Sequence, residues 1–169
     1  MAAPTDLASL LEHEAIKALK FAYLRCLDQK RWDEMYELFV PDGAVSAYSG
    51  NKYRYEGRDA IIDFLKRNMD RPALHTSHHV HHPEIELLGE DLAAATWAME
   101  DVNIDVDYDF YMVGRGFYED RYRKIGDRWL IELTGYKRLF ETFQPLSGNQ
   151  INMTASWWAT NGESSLEVQ

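Results

Sequence analysis

Apolar side chains in the first 70 residues recur at helical spacing, and they predict three helices. The first helix can be capped by Thr5 or Asp6, and the second ends at the turn Pro41-Asp42-Gly43. The third can be capped by Asp59 and continues through Met69. The apolar positions are Leu7, Leu10 or Leu11, Ile16, Leu19, Tyr23, Cys26 and Leu27 in the first helix, Trp32, Met35, Tyr36 and Phe39 in the second, and Ile61, Ile62, Phe64 and Leu65 in the third.

The remainder of the chain alternates with the period of β-strands. AVSAY (44–48) and KYRYEG (52–57) flank Ser-Gly-Asn and predict a hairpin. Four longer strands are predicted at 75–88, 92–107, 112–124 and 128–143, with turns at Gly89-Glu90-Asp91 and Gly126-Asp127. Helices followed by antiparallel strands favour an α+β fold. We expect three helices packed in a strongly curved antiparallel sheet, an open cone suited to a small-molecule pocket.

The residues after Pro145 lack this patterning. We therefore expect one domain over residues 1–145 and an irregular tail over 146–169. Two adjacent tryptophans, Trp157 and Trp158, are unusual in a free tail. They predict that part of this segment packs on the body or on a neighbouring subunit.

Composition and charge narrow the classes of function. A formal net charge of -10 argues against nucleic acid and against an anionic membrane surface as partners. The first residues lack the basic and long apolar regions of a signal peptide, and no stretch is as long and apolar as a membrane span. We expect a cytoplasmic protein. The single cysteine, Cys26, excludes a disulfide within the chain and indicates a buried apolar position on the first helix.

Five of the six histidines lie in HTSHHVHH, residues 75–82. Side chains on a strand alternate between faces, and the apolar phase slips between Val80 and Ile85, where a bulge at Pro83 would account for it. The bulge places His78 on the inner face and His79 and His81 outside. The spacing His79-x-His81 can supply two metal ligands, but it has no third ligand at a fixed spacing. Solvated histidines are the favoured interpretation, and no metal is expected.

An inward His78 requires a polar partner, because an unpaired buried imidazole is costly. Asp28, at the end of the first helix, and Asp101, in phase with Trp97 on the second long strand, are both candidates. The alternatives are a helix-end cap for Asp28 and an outward position for Asp101. A His–Asp pair in an apolar pocket is a general base oriented by a carboxylate. Tyr23 and Tyr48 could direct phenol groups at a substrate oxygen, or they could be core tyrosines.

Four segments carry a resemblance to a known family: IKALKFAYLRCLDQKRWDEM (16–35), HHVHHPEIEL (78–87), WAMED (97–101) and LTGYKRLFE (133–141). The chain resembles the SnoaL-like branch of the NTF2-like superfamily. Within that branch it is most similar to the bile acid 7α-dehydratases, and more distantly to scytalone dehydratase and hexachlorocyclohexane dehydrochlorinase. The resemblance implies an NTF2-like cone with residues 105–116 over the pocket mouth.

The resemblance also implies a function. It implies a cofactor-independent dehydratase acting on a hydrophobic, polycyclic or steroid-like hydroxy-ketone, in a homotrimer or homodimer. His78 would remove a proton with Asp28 as its partner, Tyr23 or Tyr48 would stabilise the enolate, and Asp101, with a raised pKa, would protonate the departing hydroxyl. The residues expected to contact the substrate are Arg138, His81, Trp97 and Tyr118. Arg138 would pair with an acidic substrate group or with the carboxylates of the pocket.

Other functions remain compatible with the same residues. The set could serve isomerisation, as in ketosteroid isomerases, or loss of a halide instead of water. A protein of a different class, such as a non-catalytic binding module or a partner subunit of an oxygenase, shares the predicted fold. Purification as a homo-oligomer would favour the enzyme, and dependence on a second chain would favour the oxygenase partner.

Overall fold

A computed structural model describes residue 4 and residues 6–149, 154–160 and 163–165. The elements within these ranges confirm the α+β prediction. In chain order they are α1 (Leu7–Gln29), α2 (Trp32–Tyr36), β1 (Val45–Tyr48), β2 (Tyr53–Glu56), α3 (Arg58–Met69), β3 (Leu74–Leu87), β4 (Leu92–Asp105), β5 (Phe110–Ile125), β6 (Arg128–Gln144), α4 (Leu146–Asn149) and α5 (Trp157–Thr160). No helix in these ranges has the length and apolar character needed to cross a membrane.

Helix α1 begins at a capping box. The Asp6 carboxylate accepts from the Ser9 backbone N–H at 2.7 Å, and the Ser9 hydroxyl accepts from the Asp6 backbone. The alternative cap, Thr5, lies outside the described residues. The helix ends at Lys30, whose backbone is left-handed with φ 58°. The predicted apolar stripe is buried from Ile16 to Leu27 and packs into the sheet.

The other two helices differ from the prediction at one end each. Helix α2 ends at Tyr36 rather than continuing through Phe39, because Phe39 forms a parallel bridge to Ile131 of β6. Pairing with a distant strand overrides the local helical pattern there. Helix α3 is capped by Gly57, at φ 88°, and not by Asp59. Asp59 lies instead in the first turn, where a carboxylate interacts favourably with the helix dipole.

The six strands form one open sheet in the order β2-β1-β6-β5-β4-β3. Every pairing is antiparallel except that between β1 and β6, which is parallel, with Val45 opposite Leu133 and Ala47 opposite Gly135. The predicted antiparallel sheet is therefore confirmed, with one parallel pairing that the sequence did not indicate. The concave face of the sheet packs on the helices, with Tyr23, Trp97 and Ile131 among the fully buried side chains.

The predicted bulge in β3 is confirmed. The register of β3 against β4 shifts between His81 and Glu84, and His82 has φ 46°. Between these pairs β3 advances three residues while β4 advances two, so β3 contains one extra residue, and Val80 and Ile85 both point toward the core despite their odd separation. His78 shares this inward face, whereas His79 and His81 are exposed.

The segment after β6 continues with two single helical turns, α4 and α5. The Ser147 backbone N–H and hydroxyl donate to the Asp109 carboxylate at 2.9 and 2.7 Å, which ties α4 to the β4–β5 connection. Ala155, Ser156 and Trp158 border a small cavity together with His75 of β3. The Trp157 side chain lies outside the described part of the chain. The division between a domain and a tail at residue 145 stays a prediction.

Candidate active site

A cavity of about 460 Å³ opens between the helices and the concave face of the sheet. Six of the predicted site residues line it, and they come from α1 and from strands β1, β3, β4, β5 and β6: Tyr23, Tyr48, His78, Asp101, Tyr118 and Arg138. Asp105, Tyr108, Phe110 and Met112 also line the cavity, in agreement with the expected position of residues 105–116. A cavity of this size is typical of a small-molecule site.

His78 is paired with Asp28. Its Nδ1 lies 2.6 Å from Asp28 Oδ1, its backbone N–H donates to Oδ2 at 2.8 Å, and only 9% of its side chain is exposed. The Thr76 hydroxyl donates to Oδ1 at 2.9 Å. An ionised carboxylate can only accept hydrogen bonds, so the imidazole carries its hydrogen on Nδ1. The Nε2 lone pair is then available as a base, and Asp28, rather than Asp101, is the ring's hydrogen-bond partner.

Asp101 lies directly opposite His78 in the β3–β4 ladder. It is buried, which supports the inward position and not the outward one. Arg138 donates to both carboxylate oxygens, to Oδ2 at 2.9 Å, and Asn103 Nδ2 donates to Oδ2 at 2.9 Å. Burial opposes ionisation of Asp101, but the hydrogen bonds from Arg138 and the charge of His78 outweigh it and hold the pKa below its ordinary value. The expectation of a raised pKa is wrong, whereas the role of Asp101 as a proton donor stays a prediction that this pKa does not favour. Arg138 binds a carboxylate of the pocket, which is one of the two arrangements expected for it.

Close packing at Gly114 allows the Asp101–Arg138 pair to form. Gly114 lies opposite Asp101 in the β4–β5 ladder, and the two side chains of the pair lie over its Cα. A Cβ at this position would overlap the guanidinium of Arg138 and the carboxylate of Asp101. The ion pair therefore requires a residue without a side chain on the neighbouring strand.

We expect Gly114→Ala to lower the free energy of unfolding by about 1–3 kcal/mol, because the methyl group must displace one member of the buried pair. Gly89→Ala is the matched control, since a Cβ at Gly89 would meet no atom within 4 Å. Urea denaturation of both variants checks this. Equal stability of the two variants would contradict the steric role of Gly114.

Two buried phenols form a second polar group in the cavity. The hydroxyls of Tyr23 and Tyr48 lie 3.0 Å apart, and burial raises the pKa of both well above the ordinary value of tyrosine. Both phenols are therefore neutral at physiological pH. The hydrogen bond between them uses one of their two hydrogens, which leaves the other for an acceptor in the cavity. The pair can donate to a carbonyl or enolate oxygen.

A buried ion pair that was not predicted from the sequence lies behind the phenols. Lys20 Nζ is 2.8 Å from Asp120 Oδ2, and both side chains are fully buried. Asp120 also accepts from the Tyr122 hydroxyl at 2.7 Å and from Thr134 at 2.8 Å. The signal was present: Lys20 lies on the apolar stripe of α1, four residues after Ile16, and Asp120 alternates with two inward tyrosines of β5.

The remaining predicted residues lie outside the cavity lining. The indole of Trp97 is fully buried and donates to the Tyr122 hydroxyl at 3.1 Å, so it belongs to the network around Asp120. The ring of His81 is on the outer surface, with ring centroids 6.3 Å from His79 and 6.0 Å from His82. Within the described residues, no group of three or more histidine, cysteine or acidic side chains is placed to hold a metal ion.

Comparison with known proteins gives a family match and structural relatives. A family model described as a SnoaL-like domain matches residues 8–134. A candidate scytalone dehydratase from Novosphingobium aromaticivorans DSM 12444 is 24% identical, with a TM-score of 0.71 over 79% of this chain and 87% of that one. The hexachlorocyclohexane dehydrochlorinase LinA-type3 from Novosphingobium barchaimii LL02 is 18% identical, with a TM-score of 0.74 over 90% of this chain and 100% of that one. An NTF2-like protein of unknown function from Pseudomonas putida KT2440 is 15% identical, with a TM-score of 0.62 over 76% of this chain and 87% of that one. At these identities the structural likeness establishes the fold.

Proposed function

The chain belongs to the SnoaL-like domain family, and from that premise we propose that it is a cofactor-independent lyase that removes water from a neutral, hydrophobic hydroxy-ketone. The observation that carries the proposal is the His78–Asp28 pair, bonded at 2.6 Å, with the His78 side chain lining a cavity of about 460 Å³. A histidine oriented by a carboxylate is a competent general base near neutral pH. The named relatives include a candidate dehydratase and a dehydrochlorinase, which favours elimination chemistry.

The reaction would proceed as an elimination next to a carbonyl. His78 Nε2 takes the proton from the carbon beside the carbonyl, and the electron pair of that C–H bond moves to the carbonyl oxygen as an enolate. The free hydrogen of the Tyr23–Tyr48 pair donates to this oxygen. When the enolate collapses, the C–O bond to the hydroxyl breaks and the conjugated ketone forms.

The departing hydroxyl requires a proton, and we propose that His78 supplies it, because the pKa of Asp101 is held below its ordinary value. Because Arg138 keeps Asp101 ionised, the acid nearest the leaving group is the imidazolium formed in the first step. His78 returns its proton to the hydroxyl, which leaves as water, and the base is regenerated. Asp28 stays ionised throughout and stabilises the imidazolium. This cycle requires both the abstracted hydrogen and the hydroxyl to lie on the face of the substrate next to His78.

The charge balance of the cavity favours a neutral substrate. Asp101 is neutralised by Arg138, and Lys20 behind the phenols is neutralised by Asp120. Arg71 and Asp105, which also line the cavity, pair with each other. The lining also contains aromatic rings, including Phe64 and Tyr136, that pack well against apolar ring systems. An unpaired substrate charge would find no free counter-ion among these groups. A fused-ring or steroid-like hydroxy-ketone therefore fits the cavity better than an acid or an amine.

One observation favours a second candidate reaction, the loss of a halide. A halide leaves without a proton, and Asp101, paired with Arg138, is not available as an independent acid. The same His78 base and the same phenol pair would serve that reaction. The two reactions differ in the leaving group, and matched substrates distinguish them.

The test is a panel of neutral ketones, from bicyclic to steroid-like. Each is prepared with a hydroxyl or a chloride on the β carbon, two bonds from the carbonyl carbon. Conjugated-ketone formation is followed by ultraviolet absorbance and mass spectrometry, and exchange of the acidic hydrogen is followed in D2O. We expect turnover of hydroxy-ketones that depends on His78 and persists in His79→Ala, whose ring is exposed on the same strand. Turnover of the chlorides alone would establish the halide reaction. Binding without turnover or exchange would overturn the enzyme proposal in favour of a binding module.

A further inference from the structure

A buried lysine lies behind the His78–Asp28 pair, on the side away from the ring. Lys30 Nζ donates to the Thr76 hydroxyl at 3.0 Å, and this hydroxyl donates to Asp28 Oδ1 at 2.9 Å. The same oxygen, Oδ1, accepts the hydrogen bond from His78 Nδ1 at 2.6 Å. Lysine can only donate and the carboxylate can only accept, so the direction of each bond is determined. The four side chains form one directed chain that ends at the proposed base.

The position of Lys30 is unfavourable for a lysine in two respects. Its backbone has φ 58° at the end of α1, a conformation that favours glycine or asparagine. Only 8% of the residue is exposed, although lysine is almost never buried without a partner. Neither helix termination nor core packing requires an amine there. The feature that a lysine supplies, and that glycine or a hydrocarbon side chain would not, is a charged donor to Thr76.

We propose that Lys30 and Thr76 are positioning residues that hold the Asp28 carboxylate against the His78 ring and reduce the negative charge that Asp28 presents to it. The geometric effect comes from Thr76, which together with the His78 backbone N–H fixes both carboxylate oxygens. The electrostatic effect comes from the ammonium of Lys30. A positive charge behind Asp28 offsets part of the carboxylate charge that stabilises the imidazolium, so removing the ammonium should strengthen that stabilisation.

The charged and titratable groups that face Lys30 come from three elements. Asp28 lies on α1, Asp70 caps the end of α3, and His75 lies on β3. Burial lowers the pKa of Lys30 to about 8, against the opposing effect of the two aspartates. Burial and the charge of Lys30 also lower the pKa of His75. The electrostatic contribution of Lys30 is therefore present at neutral pH and fades as the pH rises above about 8.

The experiment is an NMR titration of the His78 ring in the free protein, without substrate. We expect Lys30→Gly and Thr76→Val to raise the midpoint of that titration, by about 0.5–1 pH unit for the lysine variant. Thr76→Ser, which retains the hydroxyl, should restore the wild-type midpoint. Lys52→Met, which removes an exposed lysine on the β1–β2 turn, controls for net charge. Asp101 also faces His78, but its pairing with Arg138 is the same in every variant.

A purely structural role for Lys30 predicts that its replacement changes the stability of the protein and leaves the His78 midpoint unmoved. The positioning role predicts the opposite. Lys30→Gly relieves a left-handed residue, so its melting temperature should equal or exceed that of the wild type while the His78 midpoint moves. Lys30→Asn, which also favours this backbone conformation, provides a second folded variant without the amine. Midpoints in Lys30→Gly, Lys30→Asn and Thr76→Val that match the Lys52→Met control would overturn the proposal.

The inference rests on the proposed function only where it concerns turnover. If the chain is the proposed lyase, Thr76→Val should lower kcat with little change in KM. The titration needs no substrate, so the two proposals fail separately. A shifted midpoint with no turnover of any ketone would retain the positioning role and remove the dehydratase. Turnover with unmoved midpoints would retain the dehydratase and remove the positioning role.

Discussion

Replacing His78 with alanine is expected to lower kcat/KM for the ketone substrate by about 10²- to 10⁴-fold, the contribution typical of a positioned general base. In the proposed cycle the imidazole removes a proton and then returns it to the leaving hydroxyl, so both steps are lost together. Steady-state kinetics on purified variants measures the effect. The fold should survive, because His78 lies at the wall of a cavity and not within the packed core.

Three controls separate chemistry from structure. Asp28→Asn retains the shape of the carboxylate but presents an amide to the ring, and it should lower kcat with a smaller change in KM. His79→Ala removes an outward ring from the same strand and should leave the kinetics unchanged. Added imidazole should restore part of the activity of His78→Ala by entering the vacated space. A correctly folded His78→Ala protein with full turnover would refute the mechanism.

The largest effect on stability is expected at Asp120. Asp120→Asn should lower the free energy of unfolding by about 3–5 kcal/mol at neutral pH, because it leaves the Lys20 ammonium buried without a counter-ion. The side chains of both partners are fully buried, and Lys20 Nζ lies 3.4 Å from the centroid of the Tyr118 ring, so water cannot replace the lost charge. Urea denaturation with linear extrapolation measures the loss.

The double variant Lys20→Met/Asp120→Asn tests the cause. It removes both charges, and the asparagine oxygen can still accept from one of the two hydroxyls that bond the carboxylate, while the other hydroxyl can rotate to accept from the amide NH2. It should therefore recover most of the stability lost in the single variant. A double variant as unstable as Asp120→Asn would show that the hydrogen bonds of the carboxylate, and not the buried charge, dominate.

The pH dependence has a definite sign. Burial lowers the pKa of Lys20 in the folded protein, against the attraction of Asp120, whereas an unfolded lysine keeps its ordinary value. Between these two values the unfolded state binds more protons, so stability rises with pH. Loss of the counter-ion lowers the folded pKa further and widens this interval. The deficit of Asp120→Asn should therefore shrink as the pH rises from neutral toward the ordinary pKa of lysine.

The bulge in β3 shows what a sequence can establish about a site. The apolar phase slip between Val80 and Ile85, with Pro83 in the gap, was sufficient to place the bulge and to select His78 among five neighbouring histidines. Strand alternation has a period of two residues, so a single slip is visible within a short window. The positions of the longer strands were predictable for the same reason.

Long-range pairing was not predictable in this way. The sequence contains Asp101 and Arg138, but no local pattern indicates that β4 and β6, on either side of β5, bring them together over Gly114. The direction of the Asp101 pKa shift was therefore predicted wrongly. Lys20 and Asp120 were missed because each lies between apolar residues in the sequence. A single charged residue in such a pattern usually marks the solvent-exposed side of a helix or strand. The early end of α2 depends on the bridge from Phe39 to Ile131, on a strand that follows some ninety residues later.

The parallel pairing of β1 with β6 affects the order in which the protein folds during synthesis. β1 carries Tyr48, and apart from its hairpin partner β2 the described strand beside it is β6, through Leu133 and Gly135. While the ribosome is still producing the middle of the chain, this hairpin cannot pair with β6, and the Tyr48 side chain lacks the β6 residues that later pack beside it. The nascent chain must carry unpaired strand edges until its final long strand emerges, which lengthens its exposure to aggregation and to chaperones. The cavity between the helices and the sheet is thus among the last parts of the molecule to form.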